Sequence, residues 1–313
     1  MTVAERTSTA EFDAALAYLP ERLALAAAEA ERGIRAAATE IRLRLDAPLT
    51  LTSGGTNIPL NGGGACDLRG AYRVTRGEID GCVAALCEGS PHAQAENIRR
   101  GFIMASGGVR AGVCGASEYT ADAPLGAVTA VNIRVPRFIE IADDPVTGLV
   151  RRDGLCGILV YSPPAMGKTT LLRFAAAALS RGGHGLAPRR VVLADERREL
   201  YMPRHMSGGL LDVFSGCPKH IAIETAVRTM NPELIICDEI GGEDETEAIL
   251  GAATCGIPLI ASAHAGSVTQ LYAKPRLRLL LGEGIFDWLV GLSFDGRKMT
   301  WTVGRCGIAE TRV

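Results

Sequence analysis

At 313 residues, 47% hydrophobic and 22% charged, the chain has the make-up of a globular protein. At roughly 150 residues per domain it has room for two domains with separate cores. A formal net charge of −2 argues against a global electrostatic pull toward nucleic acid or anionic membrane, and the nine cysteines form no C-x-x-C pair, which argues against a zinc or disulfide framework and for buried thiols in a reducing compartment.

Glu5, Arg6, Glu11 and Asp13 do not make the basic-then-apolar leader of a secreted protein. No apolar run approaches the ~20 residues needed to cross a bilayer. A cytoplasmic location is expected, compatible with docking at the cytoplasmic face of a membrane complex.

In chain order, Glu11 to Ala37 is rich in Ala, Leu and Glu, with Phe12, Leu16 and Leu19 at helical spacing and Pro20 breaking the run. Two short helices are predicted. Glu40 to Leu45 alternates polar and apolar as a half-exposed strand, followed by a turn at Asp46-Ala47-Pro48 and a strand from Leu49 to Thr52. Gly62-Gly63-Gly64 reads as a loop, not a phosphate cradle, because no helix opens directly after it. Thr75 caps a predicted helix with Ile79, Val83 and Leu86 on one face, and a polar helix is predicted over His92 to Arg100. Phe102 to Ala105 and Val109 to Val113 flank Gly107-Gly108 as a hairpin. Ala127 to Val135 is a further apolar segment, closed by Arg134, Pro136 and Arg137. Residues 1–147 are thus expected to form a small α+β domain, ending in a linker around Asp143-Asp144-Pro145.

Over 148–313 the rhythm changes to strand–helix alternation, which predicts an α/β domain with a mainly parallel sheet and helices on its faces. Strands are expected at Gly157–Tyr161, Arg190–Ala194, Leu234–Cys237, Pro258–Ser262 and near Leu289–Phe294. Helices are expected at Lys168–Ser180, Lys219–Met230, Asp244–Cys255 and Val268–Leu281. Ligands of such sheets bind at the carboxyl ends of the strands.

The chemistry concentrates there. Ser162-Pro163-Pro164-Ala165-Met166-Gly167-Lys168-Thr169-Thr170 joins a strand to a helix and ends as the phosphate-binding pattern G-x-x-x-x-G-K-[ST] ends. Loop and helix N–H groups converge on phosphate oxygens, Lys168 reaches the β/γ oxygens, and the Thr169 hydroxyl ligates Mg²⁺. Two positions depart from the pattern: Ser162 stands for its first glycine, and Ala165 stands where a left-handed backbone favours glycine. Downstream, Leu234-Ile235-Ile236-Cys237-Asp238-Glu239 ends an apolar strand in two carboxylates. Asp238 is expected to hold Mg²⁺ through water, and Glu239 to orient and deprotonate the attacking water. Asp195-Glu196 ends a second strand, where Glu196 supports the metal or the water, or where the acids cap a helix or a loop. His264 ends a third strand as a γ-phosphate sensor or a structural histidine. Arg228 reads as a salt-bridge or subunit-contact residue. Arg110, Arg134 and Arg137 are candidates for stabilising transition-state charge from an adjacent domain or subunit, or for plain solvation.

Glu40-Ile41-Arg42-Leu43-Arg44, Gly101-Phe102-Ile103 with Gly107 to Gly112, Asn132-Ile133-Arg134, the run from Ser162 to Arg173, Asp195-Glu196-Arg197 and the run from Arg228 to Gly241 resemble, in the same order, the stage III sporulation protein AA family. That family resembles the secretion ATPases of type II and type IV systems. The resemblance implies a RecA-like ATPase domain behind a smaller N-terminal domain, with ATP and Mg²⁺ as ligands. It further implies a homo-oligomeric ring, a hexamer among its candidate forms, which supplies energy to membrane-embedded channel components between mother cell and forespore. The family's loop usually reads Gly-Pro-Pro-Gly, so Ser162 and Ala165 leave open whether nucleotide binding or turnover is weakened, while Lys168, Thr169, Asp238 and Glu239 are all kept. A nucleotide-gated scaffold with little turnover is therefore the alternative. A nucleic-acid-stimulated motor is disfavoured by the neutral charge and the lack of a basic-aromatic stripe.

Overall fold

The computed structural model describes residues 9–90, 94–105, 109–115, 128–183, 185–294 and 299–307. The chain forms two compact units that divide between Arg137 and Phe138. Among the described residues no helix is long and apolar enough to cross a membrane.

The first unit is built on an antiparallel sheet of seven strands: β1 (Ala38–Arg44), β2 (Thr50–Ser53), β3 (Thr56–Asn61), β4 (Gly64–Ala65), β5 (Phe102–Met104), β6 (Arg110–Gly115) and β7 (Val128–Arg134), in the order β4-β3-β2-β1-β7-β6-β5. Period-two alternation decides which face is covered. Ile41, Leu43, Val131 and Ile133 are buried, with Phe12, Leu23, Ile79 and Leu86 from the helices in the same core. The predicted helix after Thr75 runs Arg76–Leu86 and opens with a capping box between Thr75 and Glu78. The Gly62–Gly64 loop is in part a strand. Gly64 has φ +93°, and a Cβ there would stand 2.6 Å from the Glu29 carbonyl oxygen, so only glycine lets β4 close against that segment. The Gly107-Gly108 turn, and His92 at the start of the predicted polar helix, lie outside the described residues; the helix itself is Ala95–Arg99.

The second unit holds β8 (Ile158–Ser162), β9 (Val191–Asp195), β10 (Leu211–Ser215), β11 (Leu234–Cys237), β12 (Leu259–His264), β13 (Trp288–Phe294) and β14 (Met299–Arg305), in the order β10-β9-β11-β12-β8-β13-β14. The sheet is mixed: β14 pairs antiparallel with β13, while the other neighbours pair in parallel. Both β10 and β14 are edge strands that the hydrophobic pattern did not predict. The inner strands read as continuous apolar runs because both faces are covered. Leu159 and Tyr161 pack into one core and Ile158 and Val160 into the other, and Ile235 and Ile236 divide in the same way.

Two further expectations are corrected. Asp143-Asp144-Pro145 is not a linker: Asp144 caps the helix Pro145–Asp153, its Oδ1 accepting from the Val146 and Thr147 amides at 3.0 and 2.9 Å, with Pro145 in the first turn, where its missing N–H is harmless. The helix predicted over Val268–Leu281 is two, Val268–Ala273 and Pro275–Gly282. Pro275 lacks the N–H that would continue the first.

Candidate functional site

Parallel strands bring their carboxyl ends to one edge of the sheet, and the register fixes who meets whom. Ser162 of β8 lies opposite His264 of β12, and Cys237 of β11 lies between Ala194 of β9 and Ala261 of β12. One residue further on, β11 delivers Asp238 and Glu239 to the same edge.

The loop from β8 to the helix Lys168–Arg181 resolves the two departures differently. Ser162 is buried and has no left-handed backbone, so its position needs no glycine. Ala165 has φ +61°, in the region an L-residue enters at a cost, and Gly167 has φ +92° as the helix N-cap. No side chain caps Gly167. The first-turn N–H groups of the helix therefore have no acceptor within it and carry its positive dipole end.

Lys168, 5% exposed, folds its ammonium over the loop. Nζ donates to Ser162 O and Pro163 O, each at 3.0 Å, and to Ser162 Oγ at 3.2 Å. Burial pulls the ammonium below the usual lysine range, against the attraction of Glu239 and with help from Lys274. Nζ also lies 3.0 Å from Nδ1 of His264. An ammonium only donates, so Nδ1 accepts and the ring proton sits on Nε2. Nε2 then donates to Glu239 Oε1 at 2.7 Å. The other carboxylate oxygen of Glu239 accepts from Arg197. Lys168, His264, Glu239 and Arg197 thus form one unbroken chain of contacts. Glu239 holds a left-handed φ of +33°, and its N–H donates to Ser262 Oγ at 3.0 Å. Strain of this kind persists only where the surroundings enforce it.

Asp238 is 1% exposed, and burial pushes its carboxyl up to about 6. Its Oδ1 is buried without a hydrogen-bond partner among the described residues. An anionic oxygen left so is a fit for a divalent cation. The Thr169 hydroxyl likewise has no protein partner among the described residues. No group of three or more His, Cys, Asp or Glu side chains forms a metal cage among the described residues. The donor set suits a Mg²⁺ held by few protein ligands and by phosphate, the usual habit of that ion.

Asp195 is a loop cap: its carboxylate accepts from the amides of Glu199, Leu200 and Tyr201 at 2.8–3.1 Å. Glu196 turns toward Lys219, 3.8 Å from its Nζ. Arg228 makes an exposed pair with Glu224. Arg134 belongs to the first unit, opposite Glu40 and Arg110 on its neighbouring strands. Arg137, in that unit, donates to the Ala38 carbonyl, and Arg110 stacks over Phe102. Sequence reasoning missed Lys219, Ser262 and Lys274, the last donating to the His264 carbonyl. Ser262 carried a usable signal, being a polar residue inside an apolar strand, whereas a lysine opening a helix looks solvated.

A family model described as "Sporulation stage III, protein AA" matches residues 28–304. Stage III sporulation protein AA of Bacillus subtilis (strain 168) is 30% identical over 261 residues, covering 81% of this chain and 82% of that protein. Among solved structures, the Legionella pneumophila ATPase DotB superposes with a TM-score of 0.58 at 14% identity, over 85% of this chain and 76% of that one. The pilus retraction motor PilT, solved with bound ADP, gives a TM-score of 0.58 at 15% identity, over 87% and 80%. At such identities the two likenesses carry the α/β fold and no activity.

Proposed function

The chain belongs to the sporulation stage III protein AA family, and from that premise we propose that it is an ATP-binding and hydrolysing motor or assembly ATPase. The observation that carries the reading is the contact chain from Lys168 through His264 to Glu239. It joins a phosphate-loop lysine, a candidate sensor and a candidate base drawn from three strand ends.

ATP would lay its phosphates along Ser162-Pro163-Pro164-Ala165-Met166-Gly167-Lys168-Thr169-Thr170, on the N–H groups of the loop and of the helix start. Lys168 would exchange Ser162 O and Pro163 O for β/γ-phosphate oxygens. Thr169 and Asp238 would hold Mg²⁺, which neutralises charge on the phosphates. Glu239 orients a water and takes its proton as the oxygen attacks the γ-phosphorus. The bond from that phosphorus to the β,γ-bridging oxygen breaks, and ADP and inorganic phosphate leave. His264 senses the γ-phosphate, and Glu196 supports the water from the neighbouring strand. In this proposal the second unit is a RecA-like ATPase domain that starts at Phe138 and not at 148, which keeps the helix Pro145–Asp153 whole. The first unit is an N-terminal domain whose Arg134 is the candidate for stabilising transition-state charge from an adjacent domain or subunit. The working form is a cytoplasmic homo-oligomeric ring, docked on membrane-embedded channel components of a sporulation secretion complex.

Replacing Glu239 by Gln is expected to leave ATP binding intact and to slow turnover by about two orders of magnitude, at ~1.4 kcal/mol of barrier per tenfold. Parent-like hydrolysis by that variant would discard Glu239 as the base. Lys168→Ala is expected to lose nucleotide binding. A second reading, a nucleotide-gated scaffold with little turnover, is favoured by the left-handed Ala165 and by the double engagement of Glu239. Steady-state phosphate release at concentrations that permit assembly separates the two.

A further inference from the structure

The helix Lys219–Thr229 opens with a lysine that is only 3% exposed. A buried ammonium is costly unless all three of its N–H bonds are used. Here they are: Nζ lies 3.0 Å from Asp238 O, 2.8 Å from Glu239 O and 3.1 Å from Glu245 Oε1. The carboxylates of Glu196 and Asp238 stand further off, at 3.8 and 3.9 Å. Burial opposes the charge, yet Asp238 and Glu245 outweigh it and hold the ammonium above the usual lysine range.

Two of the three contacts are to backbone carbonyls, those of the two residues that end the acidic strand. The third extends the hold. Glu245 uses its other oxygen to accept from the Gly241 and Gly242 amides, at 3.0 and 2.9 Å. From the opposite side, Ser262 takes the Glu239 amide on its hydroxyl at 3.0 Å and the Ile240 amide on its carbonyl at 2.8 Å. The segment from Asp238 to Gly242 is therefore gripped by the Asp238 and Glu239 carbonyls at Lys219 and by its amides, those of Glu239 and Ile240 at Ser262 and those of Gly241 and Gly242 at Glu245. Inside that grip Glu239 keeps its left-handed backbone. An ion pair alone would not need the ammonium aimed at peptide oxygens.

We propose that Lys219 is a positioning residue, whose ammonium locks the Asp238–Gly242 corner in the one conformation that turns the Glu239 carboxylate toward His264 and Lys168. Its consequence for turnover rests on the ATPase reading above; the lock itself does not.

The test compares full-length parent with Lys219→Met and, because the single change leaves the half-buried Glu245 without its cation, with Lys219→Met/Glu245→Gln. Hydrogen exchange reads the lock. The Glu239 and Ile240 amides are expected to exchange about tenfold faster in both variants, while Ile235 and Ile236 inside β11 stay protected. Unchanged exchange at Glu239 and Ile240 overturns the proposal whatever the turnover. Kinetics read the consequence: kcat falls about tenfold or more while the Kd for ATP stays within about threefold. Where the parent hydrolyses ATP, unchanged kcat in either folded variant overturns the proposal and leaves the ATPase reading standing. Where the parent does not hydrolyse ATP, that reading fails and the exchange arm alone decides the role of Lys219.

Discussion

Restoring the two glycines of the family's loop is expected to have opposite effects. At Ala165 the backbone is left-handed, φ +61°, a conformation that costs an L-residue roughly 1–2 kcal/mol and glycine almost nothing. Ala165→Gly removes that strain but gives the unfolded chain about 0.4–1 kcal/mol of extra conformational freedom. The net is a stabilisation of about 0.5–1 kcal/mol, a rise in Tm of about 2–4 °C per kcal/mol for a unit of this size. At Ser162 nothing is strained. Ser162→Gly loses the hydroxyl that donates to Pro163 O at 2.9 Å and accepts from Lys168 at 3.2 Å. With about 1 kcal/mol net for the hydrogen bonding and about 0.5–1 kcal/mol for glycine in a strand, it is expected to destabilise by about 1.5–2 kcal/mol. Thermal or urea unfolding, following the transition of the second unit, measures both. A destabilised Ala165→Gly, or two variants moving in the same direction, would refute the assigned loop backbone.

Asp238 makes a prediction about pH. Its carboxyl titrates at about 6 in the folded state against an ordinary 3.8, so its contribution is fully present below the unfolded value and is lost as pH rises through about 6, roughly 2–3 kcal/mol in all. The stability difference between parent and Asp238→Asn should shift by that amount between pH 4 and 7.5, and a flat difference would contradict it. If the same carboxylate holds Mg²⁺, calorimetry should show Mg²⁺-dependent ATP affinity falling below about pH 6, by up to about tenfold per unit. Asp144→Ala, which removes the cap of the helix Pro145–Asp153, should cost about 1–2 kcal/mol in urea unfolding. Gly64→Ala places a Cβ 2.6 Å from the Glu29 carbonyl oxygen at φ +93° and should cost more than 1 kcal/mol in the first unit's transition, about the price of a left-handed L-residue alone.

The strands that carry the site were legible because burial on both faces leaves an unbroken apolar run, as in Ile158–Tyr161 and Leu234–Cys237. The edges were not. β10 is Leu-Asp-Val-Phe-Ser with each residue at least partly exposed, and β14 alternates too weakly to announce itself. Asp144-Pro145 was ambiguous on physical grounds, since an acid before a proline starts turns and caps helices by the same hydrogen bonds. At the site, Lys168, Asp238, Glu239 and His264 stood out because each ends a strand or its loop. Lys219 did not, because its burial follows from acids that arrive from three different elements: Glu196 after β9, Asp238 after β11 and Glu245 in the helix Glu243–Thr254. That convergence exists only in three dimensions.

An imidazole has two nitrogens, and those of His264 are both spoken for, one by an ammonium and one by a carboxylate. An anion that drew the Lys168 amine away from Nδ1 would strand a lone pair and slacken the ring's hold on Glu239. News of an arriving phosphate would then pass from Lys168 to Glu239 through the width of a single side chain, without any strand or helix having to move.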